Sequence, residues 1–168
     1  GLGGNPRFTQ DHGEKLYRRS IYTYWKRSAP PPSMQIFDAP TREKCIIRRA
    51  RTNTPLQALV TLNDTQFVEA SRHMAERLIR EGGTTVEDRV AYGFRLATSR
   101  YPTKDETAVL QRVFNNASKK YSDNPEAAAN LLSVGESKRD ESLPTHEHAA
   151  WTIVSSSLLN LDETLTRE

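Results

Sequence analysis

The sequence predicts an all-α fold, a helical bundle of about five to six helices behind an irregular N-terminal arm. Three observations carry that expectation. Downstream of Thr52 the apolar residues recur at steps of three and four, the spacing of one helix face. Helix starts are written out as Thr54-Pro55, Thr103 with Glu106, and Asn124-Pro125, and glycines follow two of the periodic runs. The 168 residues are 36% hydrophobic and 27% charged, which suits one domain with a core and is too rich in Leu, Val, Ile and aromatics for a disordered chain.

The arm comes first. Residues 1–13, opening Gly1-Leu2-Gly3-Gly4-Asn5-Pro6 without an initiator Met, are expected to be a linker-like lead from a larger parent chain. Residues 14–168 are expected to form a single helical domain, divided into a basic arm (14–51) and a helical body (52–168). Residues 16–27 are ambiguous. Apolar positions 16, 17, 21, 24 and 25 fit a helix face, while Ile21-Tyr22-Thr23-Tyr24-Trp25 also suits a strand. Helix is preferred, with room for minor short strands. Pro30-Pro31-Pro32 then imposes an extended course, and residues 33–51 are expected to be irregular or briefly extended.

The body follows as successive helices. Thr54 as N-cap and Pro55 at the first helical position open a helix to Leu62. Asn63 with Gln66 predicts a second N-cap with a capping box, and a helix burying Phe67, Ser71, Met74 and Leu78 that ends at Gly82-Gly83. Thr85 caps a helix with Val86, Val90, Phe94 and Ala97 on one face, stopped by Tyr101-Pro102. Thr103 and Glu106 form a capping box before Leu110, Phe114, Ala117 and Tyr121. Asn124-Pro125 opens a helix over 125–134, ended by Gly135. Residues 136–143 are a charged loop, and a last helix over 145–161 carries Trp151, Val154, Leu158 and Leu161. The expected core is Leu59, Phe67, Met74, Leu78, Val90, Phe94, Leu110, Phe114, Trp151, Val154 and Leu158.

Several chemistries are absent from the sequence. No run approaches 18 apolar residues, so no membrane-spanning helix is expected. There is no phosphate-binding Gly-rich loop, no Cys-x-x-Cys, no haem-attachment Cys-x-x-Cys-His, no Gly-x-Ser-x-Gly and no His-Glu-x-x-His. No cofactor or metal is therefore expected in this chain. His146 and His148 stand two apart at a helix start and do not share a face, so both are expected to be exposed. Cys45 is the sole cysteine and, beside Ile46-Ile47, is expected to be a small buried apolar residue.

Charge is unevenly spread. Residues 1–51 hold 11 Lys/Arg against 4 Asp/Glu, a balance of +7, and residues 52–168 balance at −4. Either the arm is a face for anions or nucleic acid, or it docks on the acidic helices of its own domain; the alternation of Arg with apolar residues favours docking. The densest polar constellation contains Arg42, Arg48, Arg49, Arg51, Asn53 and Asp64. The Arg forks suit a carboxylate, sulfate or phosphate, and equally suit Asp38, Asp64, Asp162 or Glu163 within the domain. The structural network is preferred, with Arg48, Arg49 or Arg51 bridging to an acid of the body. Tyr17, Tyr22, Tyr24 and Trp25 among Arg18, Arg19, Lys26 and Arg27 suit stacking against nucleic acid or sugar, or an amphipathic face with its aromatics buried.

Longer stretches carry a resemblance. Leu16-Tyr17-Arg18-Arg19-Ser20-Ile21-Tyr22-Thr23, Trp25-Lys26-Arg27, Pro30-Pro31-Pro32-Ser33-Met34 and Phe37-Asp38-Ala39-Pro40 are followed by Arg51-Thr52-Asn53-Thr54-Pro55-Leu56-Gln57-Ala58-Leu59. Leu158-Leu159-Asn160-Leu161-Asp162-Glu163 closes the chain. Over about Gly13 to Glu168 this resembles the C-terminal domain of unknown function (the PSD domain) of planctomycete-type cytochrome-associated multidomain proteins. The resemblance implies a large exported bacterial parent, a periplasmic or extracellular location, and haem c elsewhere in that parent, with carbohydrate-related work open to it. It supplies no catalytic residues. The expected function is a non-catalytic docking or interaction module whose partners are the other domains of the parent. The alternative is part of a hydrolase or carbohydrate-active site shared with a neighbouring domain, through Asp38, Arg42, Arg51, Asn53 and Asp64. Nucleic-acid binding through the arm is the weaker alternative.

Overall fold

The computed structural model describes residues 9–26, 29–41, 43–48 and 52–166. Among these the regular structure is helical, with no strand. The chain divides into two compact units, Gly1–Gln57 and Ala58–Glu168.

The first unit holds little regular structure. Two 3-10 turns, Gly13–Tyr17 and Ser20–Tyr22, replace the helix preferred for this stretch, and no strand forms there either. The reason is packing. Tyr17, Ile21, Tyr22 and Tyr24 are 59–83% exposed, so a helix here would bury little apolar surface, and short helices without such burial are marginal in water. Pro32, at the first helical position, opens the single-turn helix α1 (Pro32–Ile36), which ends where Asp38 turns the chain at a φ of 57°. A polar knot then joins residues 36–38 to 52–57. The Thr52 N–H (2.9 Å) and hydroxyl (2.7 Å) donate to the Asp38 carboxylate, and the Gln57 amide donates to the Ile36 carbonyl (2.8 Å). Gln57 also completes a capping box with Thr54, accepting from the Thr54 N–H (2.9 Å) and donating its own N–H to the Thr54 hydroxyl (3.3 Å). That box starts α2 (Pro55–Asn63). Leu59, expected in the core, is exposed, as are Leu56 and Leu62 along the same side of α2. Cys45, expected to be buried, is exposed as well, within a stretch that has no regular structure to cover it.

The second unit is a helical bundle. It comprises α3 (Thr65–Glu81), α4 (Val86–Thr98), α5 (Lys104–Asp123), α6 (Pro125–Leu132), α7 (Thr145–Leu159) and the short α8 (Asp162–Leu165). Helix α7 is central and packs chiefly against α3, α5 and α6. Its composition explains the position. Ala149, Ala150, Trp151, Thr152, Val154, Ser155 and Leu158 are apolar or small on nearly every side, and all are buried. Leu161, expected on the same helix, lies just past its end, half-buried. The main core joins Ala75, Leu78, Val90, Phe94, Leu110, Trp151, Val154 and Leu158. A second cluster joins Ala117, Tyr121, Ala128, Leu132, Ala149 and Ala150, and Phe114 touches both. Of the expected core, Met74, Phe67 and Phe114 are half-buried. Gly93 lets α4 close on its neighbours: a Cβ there would stand 2.9 Å from Leu158 and 3.0 Å from Leu78.

The caps follow the sequence closely. Thr85, the Thr103–Glu106 capping box and Asn124 cap α4, α5 and α6. The start of α3 differs by one residue. Asp64, not Asn63, is the N-cap and accepts the Gln66 N–H (2.9 Å), while Asn63 ends α2 and donates its amide back to the Leu59 carbonyl (2.8 Å). At the other end of α3 the left-handed glycine is Gly83 (φ 92°), while Gly82 keeps a negative φ.

Candidate functional site

The residues singled out by sequence serve separate purposes. Arg42, Arg49 and Arg51 lie outside the described residues. Arg48 and Asn53 are exposed in the first unit, and Asp38 is engaged in the knot with Thr52. Asp64 caps α3. Asp162 accepts from the Thr166 hydroxyl (2.9 Å) within the last turn of chain. Glu163 pairs with Arg100 (2.9 Å), whose fork also holds Glu106 (2.7 Å) and lies 4.7 Å over the Phe94 ring. Arg100, and after it the Thr103 N–H, holds the Glu106 carboxyl down to about 2.

A denser polar cluster, which the sequence reading did not single out, sits where α3 meets the 133–144 loop and α7. Glu69, Arg72, His73, Glu76 and Arg80 follow one another at helical spacing along α3. Arg72 and Glu69 have side chains only 1% and 4% exposed. Buried charges require partners, and these have them. Arg72 donates to the Leu132 carbonyl (3.2 Å), the Ser137 carbonyl (2.8 Å) and the Ser137 hydroxyl (2.6 Å). Glu69 accepts the Ser137 N–H (2.7 Å) and also contacts the Ser137 hydroxyl. Gly135 permits this approach. Its φ is 104°, and a Cβ on it would stand 2.5 Å from the Glu69 carboxyl carbon.

The cluster extends outward to solvent. His73 Nε2 lies 2.7 Å from the Ser137 hydroxyl, and its Nδ1 lies 3.0 Å from Glu76. The His73 side chain is 45% exposed. Glu76 also accepts the Asp140 N–H (3.3 Å), and Asp140 pairs with Arg80. Behind Glu76 stands His148, fully buried rather than exposed as expected. Thr145 and His146 form the first turn of α7 at the surface, and two residues on, the helix has turned His148 inward toward α3. His148 Nε2 lies 3.3 Å from the Arg72 carbonyl and 3.7 Å from Glu76, and burial lowers its pKa. One signal could have revealed this cluster: the polar residues Glu69, Arg72, His73 and Glu76 flank the small and apolar stripe Ser71, Ala75, Leu78, too close to it to remain wholly solvated.

The exposed apolar residues form a contrasting set. Among the described residues, nine of the twelve large exposed hydrophobic side chains fall between residues 17 and 62: Tyr17, Ile21, Tyr22, Tyr24, Ile46, Ile47, Leu56, Leu59 and Leu62. Among the described residues, no His, Cys, Asp or Glu trio is arranged to hold a metal, and no helix is long and apolar enough to cross a membrane.

A family model described as PSD1, protein of unknown function (DUF1553), matches residues 4–114, from the arm into the middle of α5. No curated protein and no solved structure matches the chain.

Proposed function

The chain belongs to the PSD1 family, whose function is unknown, and from that premise we propose that it is an interaction module that docks through residues 17–56 on another domain of a larger parent chain. The observation that carries this reading is that seven large hydrophobic side chains of that segment, Tyr17 to Leu56, are exposed. A partner surface that is apolar and acidic suits it, because the first 51 residues carry a balance of +7. Covering Tyr22, Tyr24 and Ile47 would bring roughly 1.5–3 kcal/mol per large side chain, before the cost of ordering the arm is subtracted. The resemblance to exported cytochrome-associated proteins supports a parent outside the cytoplasm with haem c on another domain.

Zero-length carbodiimide cross-linking of the full-length parent tests this, because it joins Lys to Asp or Glu in contact. Lys15, Lys26 and Lys44 are expected to link to acidic residues outside the 168-residue segment. Links from these lysines only to acids within residues 58–168 would instead mean that the arm docks on its own body.

A further inference from the structure

We propose that Ser137, His73 and Glu76 form a nucleophile, general base and orienting carboxylate for the hydrolysis of small carboxylic esters, the acyl group passing from the ester to Ser137 and then to water. The site lies wholly within the helical unit and goes beyond the docking role.

Proton placement leads to it. His73 Nδ1 stands 3.0 Å from Glu76, a contact that a hydrogen on Nδ1 satisfies when the carboxyl accepts. In that tautomer Nε2 is the nitrogen that faces the Ser137 hydroxyl, at 2.7 Å, in position to take its hydrogen. A base within hydrogen-bond reach of a hydroxyl, itself oriented by a third group, is the arrangement that activates serine.

The serine is also held in place. Its N–H is bound by Glu69 (2.7 Å) and its carbonyl by Arg72 (2.8 Å), both buried. These two contacts already latch the loop to α3. The latch has no need of the His73–Glu76 pair, which adds a base on the solvent side. Arg72 stands 2.6 Å from Ser137 Oγ, so a positive charge is present where the hydroxyl loses its proton. The Ser137 hydroxyl also donates to Glu69, which thus competes with His73 for the same hydrogen, and the Arg72 charge beside Glu69 weakens it as a base.

The reaction balances without a cofactor. The Ser137 hydroxyl proton passes to His73 Nε2 as Oγ bonds to the ester carbon. The tetrahedral adduct expels the alkoxide, which takes that proton from His73 and leaves as the alcohol. Water then attacks the acyl-serine, again giving its proton to His73, and the acid departs as Ser137 Oγ recovers its hydrogen. Substrate must approach from the His73 side, since Arg72 and Glu69 close the other. A reaction centre on a surface loop suits a short acyl group such as acetyl.

The test uses the whole chain with a fluorophosphonate probe and with p-nitrophenyl acetate. The expected result is a covalent phosphonyl adduct mapped by peptide mass spectrometry to Ser137. Ester hydrolysis should fall by roughly 100-fold or more in Ser137→Ala and in His73→Gln, the range for loss of a general base. Glu76→Gln should lower hydrolysis and move the acid limb of its pH–rate profile, which a merely structural role would not do. His73 is half-exposed, so His73→Gln is expected to stay folded even if Ser137→Ala does not. Labelling elsewhere than Ser137, no labelling, or unchanged hydrolysis in His73→Gln would overturn the assignment.

Discussion

Phe94 and Tyr24 are both aromatic residues with a basic residue close by in sequence, and the two units treat them oppositely. Phe94 is 2% exposed, packed among Val90, Trp151 and Leu158, with the Arg100 guanidinium over its ring. Tyr24 is 83% exposed on a segment without regular structure. Composition does not separate them. What separates them is a second layer: α4 lies against α3, α5 and α7, so an apolar face there meets another. Among the described residues, the first unit has no helix longer than five residues before α2, and the Asp38–Thr52–Gln57 knot ties residues 36–38 to 52–57.

The largest expected effect tests that contrast in the core. Phe94→Ala should cost about 3–5 kcal/mol in urea unfolding, because transfer and cavity terms add. A loss below about 1 kcal/mol would place Phe94 in the same class as Tyr24. A comparable loss is expected at the buried charges. Arg72→Met leaves Glu69 without its cation and should cost about 3–5 kcal/mol, whereas the double variant Glu69→Leu with Arg72→Met should recover much of it. If the double variant is as unstable as the single, the pair is not the source of the loss.

The helical unit was largely legible in sequence because its signals are local. Thr85, Thr103 with Glu106, and Asn124 each cap a helix through the residue three positions on, and Val90, Phe94, Leu110, Trp151 and Leu158 obey helix spacing. The arm misled for the converse reason. Leu16 to Trp25 has a helix-like apolar spacing, but periodicity only says which residues would share a face, not whether anything covers it. Leu59 failed as a core residue on the same ground. The Ser137 cluster was only partly legible: Glu69, Arg72, His73 and Glu76 share one stretch of α3, but Ser137 is 64 residues from His73 and meets it only once α3 and the 133–144 loop are side by side. His148 was misjudged because a helix start was equated with exposure, whereas α7 enters the middle of the bundle within its first turn.

A third test uses protons to probe burial. The folded-state pKa of His148 is lowered first by burial, with the Arg72 carbonyl and Glu76 pushing the other way and the Arg72 and Arg139 charges adding to the lowering. The unfolded chain therefore binds a proton near pH 6.5 that the folded chain still refuses. Stability from this residue is fully present above about pH 6.5 and declines as pH falls from there toward the folded value. Urea midpoints of the natural chain and of His148→Gln, measured from pH 8 to pH 5.5, should converge as the pH falls. A constant separation across that range would mean that His148 titrates as it does in water.

The smallest expected effect is in the arm, and a near-zero result is the informative one. Tyr24 has most of its ring in water, so replacing it removes little buried surface and leaves no cavity. Its neighbours offer no regular backbone pattern for the substitution to disturb. Tyr24→Ser should thus shift the stability of the 168-residue chain by no more than about 0.5 kcal/mol in either direction, the usual range for a surface position. If Tyr24 belongs to a docking surface, the same substitution should reduce the carbodiimide cross-links from Lys26 in the full-length parent, since the two residues are two apart on one segment. Unchanged stability with reduced cross-linking would assign Tyr24 to a partner. A loss of more than about 1 kcal/mol in the isolated chain would instead show that the arm has a core of its own, and the contrast between the two units would fall.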